Sequence, residues 1–424
     1  MTKNAARRLK SLGAVMLALL LGGCSRAREP IGASAPPLPT AITAPAQTLP
    51  TVAQEELISL EQFNDFSLRV FQSQRGDASW VVSPANVALA LGQLRPGAQE
   101  ETAQQLDTVL GLNGEYTDDQ VWASLVSLRA QLEQLAPGSL WQGWGLMMGE
   151  GPSVRVQYTE LLHQSLGSRV ELVDYETEGY GDTYTAWVKQ ASGGLITKLS
   201  AVPAANTSMT VASAAALDGK WAKAFNVENI RNTSFAMENG QKVSAAMMTS
   251  KVSPEILADE SVTLAAVPME GDLEAWLILP PEGMVLNDFV QSLTLEKLLQ
   301  WREQAAVESC LITVPKVDIT SNNDLIATLT GMGLADAFDP ENADFGDMGE
   351  NISVGSMLTA CRLRLGENGV AAADEPMSQR MLRGMDRELK SYVFDRPYVL
   401  LVVHEDTGSL LMLAGVTRPA ATES

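Results

Sequence analysis

Apolar residues recur at Leu57, Leu60, Phe63, Phe66, Leu68, Val70 and Phe71 with polar residues between them, and that spacing predicts a helix over 57–71. Ser83-Pro84 predicts the start of a second helix over 85–94, with Ser83 as N-cap and Pro84 in the first turn. Residues 98–110 and 118–135 are further helical stretches, and 183–190 is another, stopped by Ser192-Gly193-Gly194. From residue 207 the texture changes. Residues 208–216 are small and apolar, 262–267 alternate in part, and 274–279 read as a buried strand. The runs 311–314, 398–404 and 410–416 read likewise, with a helix over 324–332 ended by Gly333. Helices gather early and strands late, without strict βαβ alternation or internal repeat, so the class expected is α+β with antiparallel or mixed sheets.

At the N-terminus Lys3, Arg7, Arg8 and Lys10 precede an unbroken apolar or small run over 12–21. Ten residues make ~15 Å of helix, half of a bilayer core, so the run predicts a signal-peptide core and not a membrane span. It leads into Leu21-Gly22-Gly23-Cys24, which resembles a bacterial lipobox. That resemblance implies cleavage after residue 23 and a diacylglycerol on the Cys24 thiol. With Ser25 in place of an aspartate, it also implies the outer membrane where the cell has one. An ordinary cleaved signal with an incidental cysteine is the alternative. Residues 25–53 hold six prolines and no aromatic residue, a composition that stays unfolded as a tether of up to ~90 Å at ~3.1 Å per residue. The expected organisation is a signal peptide over 1–23, a lipidated cysteine and tether over 24–54, and a folded unit over 55–424 facing the periplasm or exterior.

Composition narrows the chemistry. The chain has 424 residues, 46% of them hydrophobic and 19% charged, which suits one large folded unit or two or three at ~150 residues each. The net charge is −21, and loss of residues 1–23 removes four positive charges and no negative ones, leaving −25. Such acidity disfavours docking on nucleic-acid phosphates or anionic lipid and argues against a heparin-like activator. Membrane attachment is then through the lipid alone. Three cysteines and two histidines, His163 and His404, furnish neither a Cys/His zinc site nor an HExxH helix, so no metal or cofactor is expected.

Enzyme signatures are missing. There is no Gly-x-Ser-x-Gly elbow, no Ser-x-x-Lys, and no glycine-rich phosphate loop. A Ser-His-Asp triad would have to use His163, on a helical stretch beside Leu161 and Leu162, or His404, ending a strand beside Glu405 and Asp406. Both read as surface or packed side chains. The chain does not read as an enzyme.

Several segments, in order and in register, resemble the serpin family. Ser83-Pro84-Ala85-Asn86 with Gly97-Ala98 and Thr102 is similar to its second-helix signature. Residues 211–225, with Gly219, Trp221 and Phe225, look like a strand of the family's large sheet and the turn after it. Phe235, Gly240, Val243, Met247, Met248, Leu279-Pro280, Pro315-Lys316, Leu329, Gly333 and Ala343-Asp344-Phe345 continue the match. It ends with Glu367-Asn368-Gly369, Phe394-Asp395-Arg396-Pro397-Tyr398, Gly415-Val416 and Pro419, covering 57–419. The resemblance implies three sheets, eight or nine helices and an exposed reactive loop over about 369–393, carried by a monomer. It also implies inhibition of serine proteases by a suicide route. The protease attacks the loop and forms its acyl-enzyme; the cleaved loop then inserts as a new central strand of the large sheet and distorts the protease before deacylation.

In inhibitory members fourteen residues commonly separate the glycine matching Gly369 from the residue before the scissile bond, which here gives Arg383, followed by Gly384. A long cation at that place suits a protease pocket ending in a carboxylate, so trypsin-like targets are expected. Met381 and Leu382 offer a frame for chymotrypsin- or subtilisin-like proteases instead, and Arg380 and Arg387 are other tryptic positions. By resemblance the hinge comprises Glu367, Gly369, Val370, Ala371, Ala372 and Ala373, and Trp221 sits at the family's breach. Strand alternation puts Val370, Ala372, Asp374 and Pro376 on one face, which the resemblance turns toward the core. Burying Asp374 without a partner costs several kcal/mol, and Pro376 removes a ladder hydrogen bond worth ~1 kcal/mol. Insertion must outrun hydrolysis, so these two residues support a rival reading: a non-inhibitory binding or structural member whose loop is only a substrate.

The positions matching the family's sheet-opening cluster are Ser83, Asn86, Ser213 and Thr359, an exchange that could preserve a hydrogen-bonded set; ordinary buried polar residues are the bland alternative. With no histidine among them, sheet opening is not expected to switch near pH ~6.5. Cys310 and Cys361 fall near separate strands and are expected as two buried free thiols, a disulfide being the alternative.

Overall fold

The structure is a computed structural model that describes residues 52, 57–58, 60–74, 76, 78–112, 116–135, 138–149, 152–176, 179–205, 207–371 and 389–420. Cys24, the tether and residues 372–388, which include Ala372, Ala373, Arg383 and Gly384, lie outside the described residues.

Twelve strands form the principal sheet, in two parts. One part runs Arg169–Leu172, Leu140–Met148, Met209–Lys223, Val354–Ala371, Val317–Asp324. Its central pair, Met209–Lys223 with Val354–Ala371, is parallel and has antiparallel neighbours on both sides. The other part is antiparallel and comprises Trp80–Val82, Leu410–Val416, Tyr398–His404, Leu273–Leu279, Thr263–Met269, Glu255–Ala258 and Ala306–Val307. A single bridge, Trp221 to Met269, joins the parts. A four-stranded sheet of Ser391–Val393, Cys310–Pro315, Lys242–Val252 and Arg231–Ala236 is separate, as is a two-stranded ribbon. The class is α+β with mixed sheets and nine α-helices among the described residues.

The helix Pro84–Gly92 is buried at every residue and lies behind the five-stranded part. Apolar residues all round are what a helix inside the core requires. Gly92 allows the helix Asp118–Leu132 to come close, since a Cβ there would stand 2.7 Å from the Leu125 side chain. That second helix starts where Thr117 and Gln120 form a reciprocal capping box. On the opposite face of the sheet, Tyr184 and Trp187 of the helix Tyr180–Ala191 pack on Ala212, Ala214, Ala216, Leu358 and Ala360. Alternation along Met209–Lys223 thus turns Val211, Ala215 and Leu217 to the main core and the even-numbered alanines to this second helix.

Three expectations are corrected. Strands are not confined to the later half: Trp80–Val82, Leu140–Met148 and Arg169–Leu172 come early, and the helices Leu286–Ser292 and Leu295–Gln304 come late. Ser83 holds the N-cap position, but its hydroxyl accepts no hydrogen bond from the helix's first N–H groups; it is turned to the buried strand Leu410–Val416, where it donates to the Leu411 carbonyl at 2.8 Å. The helix expected over 324–332 is shorter, Ile326–Gly331, since Asp324 still pairs with Leu358 at the end of a strand.

Candidate functional site

The parallel seam between Met209–Lys223 and Val354–Ala371 is the feature around which the expected site residues gather. Pairing runs from Met209 opposite Val354 to Gly219 opposite Leu365, breaks over a bulge, and resumes with Gly369 opposite Trp221 and Ala371 opposite Lys223. The two strands are in direct contact, so the sheet is closed. At Gly219 a Cβ would crowd the ends of the Leu365 and Met269 side chains.

At the top of the seam Trp221 is fully buried and donates from Nε1 to the Gly366 carbonyl at 2.7 Å. Phe225 meets it edge-on at 5.4 Å, and the Phe225 N–H donates to the Glu367 carbonyl at 2.9 Å. The Glu367 carboxylate pairs with Lys316 Nζ at 2.6 Å. Burial alone would raise the Glu367 pKa, but the Lys316 hydrogen bond and charge hold it below its ordinary value. Gly369 admits no side chain, for a Cβ would lie 2.4 Å from the Ala224 nitrogen. Just below, Arg364 and Asp218, opposite one another in register, form an ion pair across the seam, with Nε to Oδ1 at 2.8 Å.

In the middle, Thr359 stands opposite Ser213, with Asn86 close by on the buried helix. Asn86 Nδ2 donates to the carbonyls of Ala214 at 2.7 Å and Gly143 at 3.2 Å, pinning the helix to two strands at once. The expected mutual set of side-chain hydrogen bonds is not what forms. Thr359 Oγ1 contacts Cys361 Sγ at 3.6 Å, while Ser213 Oγ and Asn86 Oδ1 are buried with no hydrogen-bond partner among the described residues. In the closed sheet the backbone carbonyls lie within reach of Asn86 and absorb its donors. Cys310 and Cys361 are free and buried in different sheets, and burial pushes both thiols up to about 11.

The outer face carries a strap that the sequence did not disclose. After the helix Tyr180–Ala191 the chain crosses the sheet and is fastened to the far side of the seam. Arg362 donates to the Leu195 carbonyl while pairing with Asp318 at 2.8 Å. Asn322 Oδ1 accepts the N–H groups of Ser200, at 2.8 Å, and Ala201; the Ala204 N–H reaches Ser356 Oγ at 2.8 Å. The signal available was a pair of arginines, Arg362 and Arg364, alternating with leucines in the stretch 357–365, which is otherwise apolar or small. Lys316, the partner of Glu367, was in view only as part of a motif. Neither histidine belongs to the seam: His163 is exposed on the helix Val156–Leu166, and His404 Nδ1 contacts Thr407 Oγ1 at 2.7 Å within its own turn.

The site is thus a mixed sheet closed on a parallel seam, with polar groups along it and a close-packed glycine at its top. The family comparison agrees: a model described as "Serpin (serine protease inhibitor)" matches residues 61–419, and the chain belongs to the serpin family. Glia-derived nexin of Rattus norvegicus is 23% identical over 388 residues, covering 87% of this chain and 95% of that protein. The native structure of the thermophilic serpin tengpin superposes with a TM-score of 0.78 at 19% identity, over 89% of this chain and 97% of tengpin. Thyroxine-binding globulin in complex with thyroxine does so with a TM-score of 0.76 at 22% identity, over 85% and 99%. Members of this family are protease inhibitors and generally not catalysts, although the fold also serves a thyroxine-binding protein.

Proposed function

We propose that this protein is a suicide inhibitor of trypsin-like serine proteases, with Arg383 before the scissile bond and Gly384 after it. The observation that carries the reading is the closed parallel seam with its glycine hinge. As a strand of ~3.3 Å per residue, the fourteen residues 370–383 span ~46 Å, close to the length of the seam's fifteen-residue strand Met209–Lys223. The protease serine forms an ester with the Arg383 carbonyl, releasing the amino group of Gly384. The freed strand then enters between Met209–Lys223 and Val354–Ala371 and carries the ester with it. Glu367, Gly369 and the run 370–373 act as the hinge, Trp221 as the lid of the seam, and Ser83, Asn86, Ser213 and Thr359 as the polar groups that exchange partners when it opens. The domain works as a monomer in the cell envelope, held by lipid on Cys24 and facing the periplasm or exterior.

A second reading is favoured by Asp374 and Pro376, which would enter the core face of that strand. If insertion loses the race against deacylation, the protein is a binding or structural member whose loop is cleaved as a substrate. One experiment separates the two. The soluble 25–424 form is mixed with excess trypsin and run on a denaturing gel. The inhibitory reading expects a band at the summed mass, stable in SDS and absent with Arg383→Ala. Cleavage without that band overturns it.

A further inference from the structure

Arg364 stands in register between two carboxylates. Asp218 lies opposite it across the parallel seam, and Asp318 lies opposite it on the antiparallel strand Val317–Asp324. In the closed sheet each aspartate takes a different arginine, and both pairs are bidentate. Arg364 donates to Asp218 from Nε, at 2.8 Å, and from Nη2. Asp318 reaches along its strand to accept from Arg362 at 2.9 and 2.8 Å, although Thr320 is the residue opposite Arg362.

In a ladder the Cβ atoms of directly opposite residues lie ~4.5–5.5 Å apart and those of diagonal neighbours ~7–8 Å. Asp318 is therefore nearer in register to Arg364 than to the arginine it holds. The Arg364 pKa is raised first by the hydrogen bond to Asp218, against burial, and further by the charges of Asp218 and Asp318. Opening the seam by a strand's width adds ~4.8 Å between Asp218 and Arg364, more than a bidentate pair can span. An opening at that place leaves Val317–Asp324 paired with the strand that carries Arg364, so Asp318 stays beside it.

We propose that Asp218, Arg364 and Asp318 form a two-position ion-pair switch: Arg364 latches the closed seam through Asp218 and turns to Asp318 when the seam opens. Asp218 raises the cost of opening, Asp318 lowers it, and both act through Arg364. The switch rests on the proposed opening of the seam, though not on capture of a protease.

Amide hydrogen exchange in the intact 25–424 form reads opening with no protease present. The signal is the rate over 209–219 and 356–365 relative to the strand Leu410–Val416, which lies away from the seam and follows global unfolding. Asp218→Asn should speed this relative rate roughly threefold, in keeping with a partly exposed bidentate pair. Asp318→Asn is made in an Arg362→Gln background, where its bond to Arg362 is already gone. There it should slow the rate roughly twofold, which an aspartate that only fastens Arg362 would not do. After Arg364→Gln neither change should have an effect. An unchanged or slower rate with Asp218→Asn, an unchanged or faster one with Asp318→Asn, or effects that persist after Arg364→Gln overturn the switch. If exchange shifts as stated while no trypsin is trapped, the switch stands and the inhibitory reading falls.

Discussion

Asn86 spends both bonds of its amide nitrogen on backbone carbonyls, leaving its own oxygen and the Ser213 hydroxyl buried without partners among the described residues. An orphaned buried polar group costs about 1–3 kcal/mol, so the closed seam holds a penalty that an opened one can relieve. Ser213→Ala removes one orphan and should raise the unfolding free energy of the closed form by about 1 kcal/mol, read from the denaturant midpoint. A fall of that size would show that the hydroxyl has a partner in the folded state. Glu367 makes the opposite contribution. Its folded pKa is depressed, chiefly through Lys316 acting against burial, so its stabilisation is present above the ordinary carboxylate pKa and lost as pH falls through the depressed value. The gap in melting temperature between wild type and Glu367→Gln should therefore be open at pH 6 and close in acid. A gap that persists undiminished at about pH 3 would rule out the Lys316 pairing as its source.

At the scale of elements, the strap over the seam is what an opening of the sheet, as the proposed inhibitory route requires, would have to work against. It continues covalently into Met209–Lys223 yet is fastened by Arg362, Asn322 and Ser356 to strands on the far side. Separating the seam by a strand's width of ~4.8 Å must break those bonds. Arg362→Gln should lower thermal stability while increasing the share of protease trapped relative to loop merely cleaved; a lower trapped share would mean that the strap guides insertion. Much of this scale was legible. The strands Tyr398–His404 and Leu410–Val416 fall where apolar runs placed them, because a strand buried on both faces needs no partner pattern to be seen. Leu140–Met148 was not legible, since Gly143 and Gly145 interrupt its alternation and their space is claimed by Ala191 and by the Arg169 carbonyl, both distant in sequence. The late helix Leu295–Gln304 was missed for its polarity: Leu298 alone is buried among its residues. In the site, the resemblance to the family led to Ser83, Asn86, Ser213, Thr359, Trp221 and Glu367. The partners that act on them, Lys316 and the carbonyls of Gly366 and Ala214, emerge only from the fold, because hydrogen-bond geometry depends on register and not on motif.

At the scale of the molecule, the described residues close their principal sheet on a parallel seam, the place where the proposed function would add a strand. In the inhibitory account, the native state is kept short of its most stable arrangement by two polar orphans, an ion pair across the seam and a strap on the outer face. Cleavage of the loop frees a strand that adds ladder hydrogen bonds on both its edges and buries the small residues 371–373. Asp374 and Pro376 set the limit on how much is gained. The most direct measurement is the melting temperature of the soluble 25–424 form before and after trypsin has cut at Arg383, with the cut confirmed by mass. The account predicts a rise of roughly 7–13 °C, since about 5–10 kcal/mol of added stability, set against an unfolding entropy of ~2.1 cal/mol/K per residue, gives a shift of that order in a domain of this size. Loop-cleaved protein that melts where intact protein melts would contradict it, leaving a serpin whose sheet does not take up its loop.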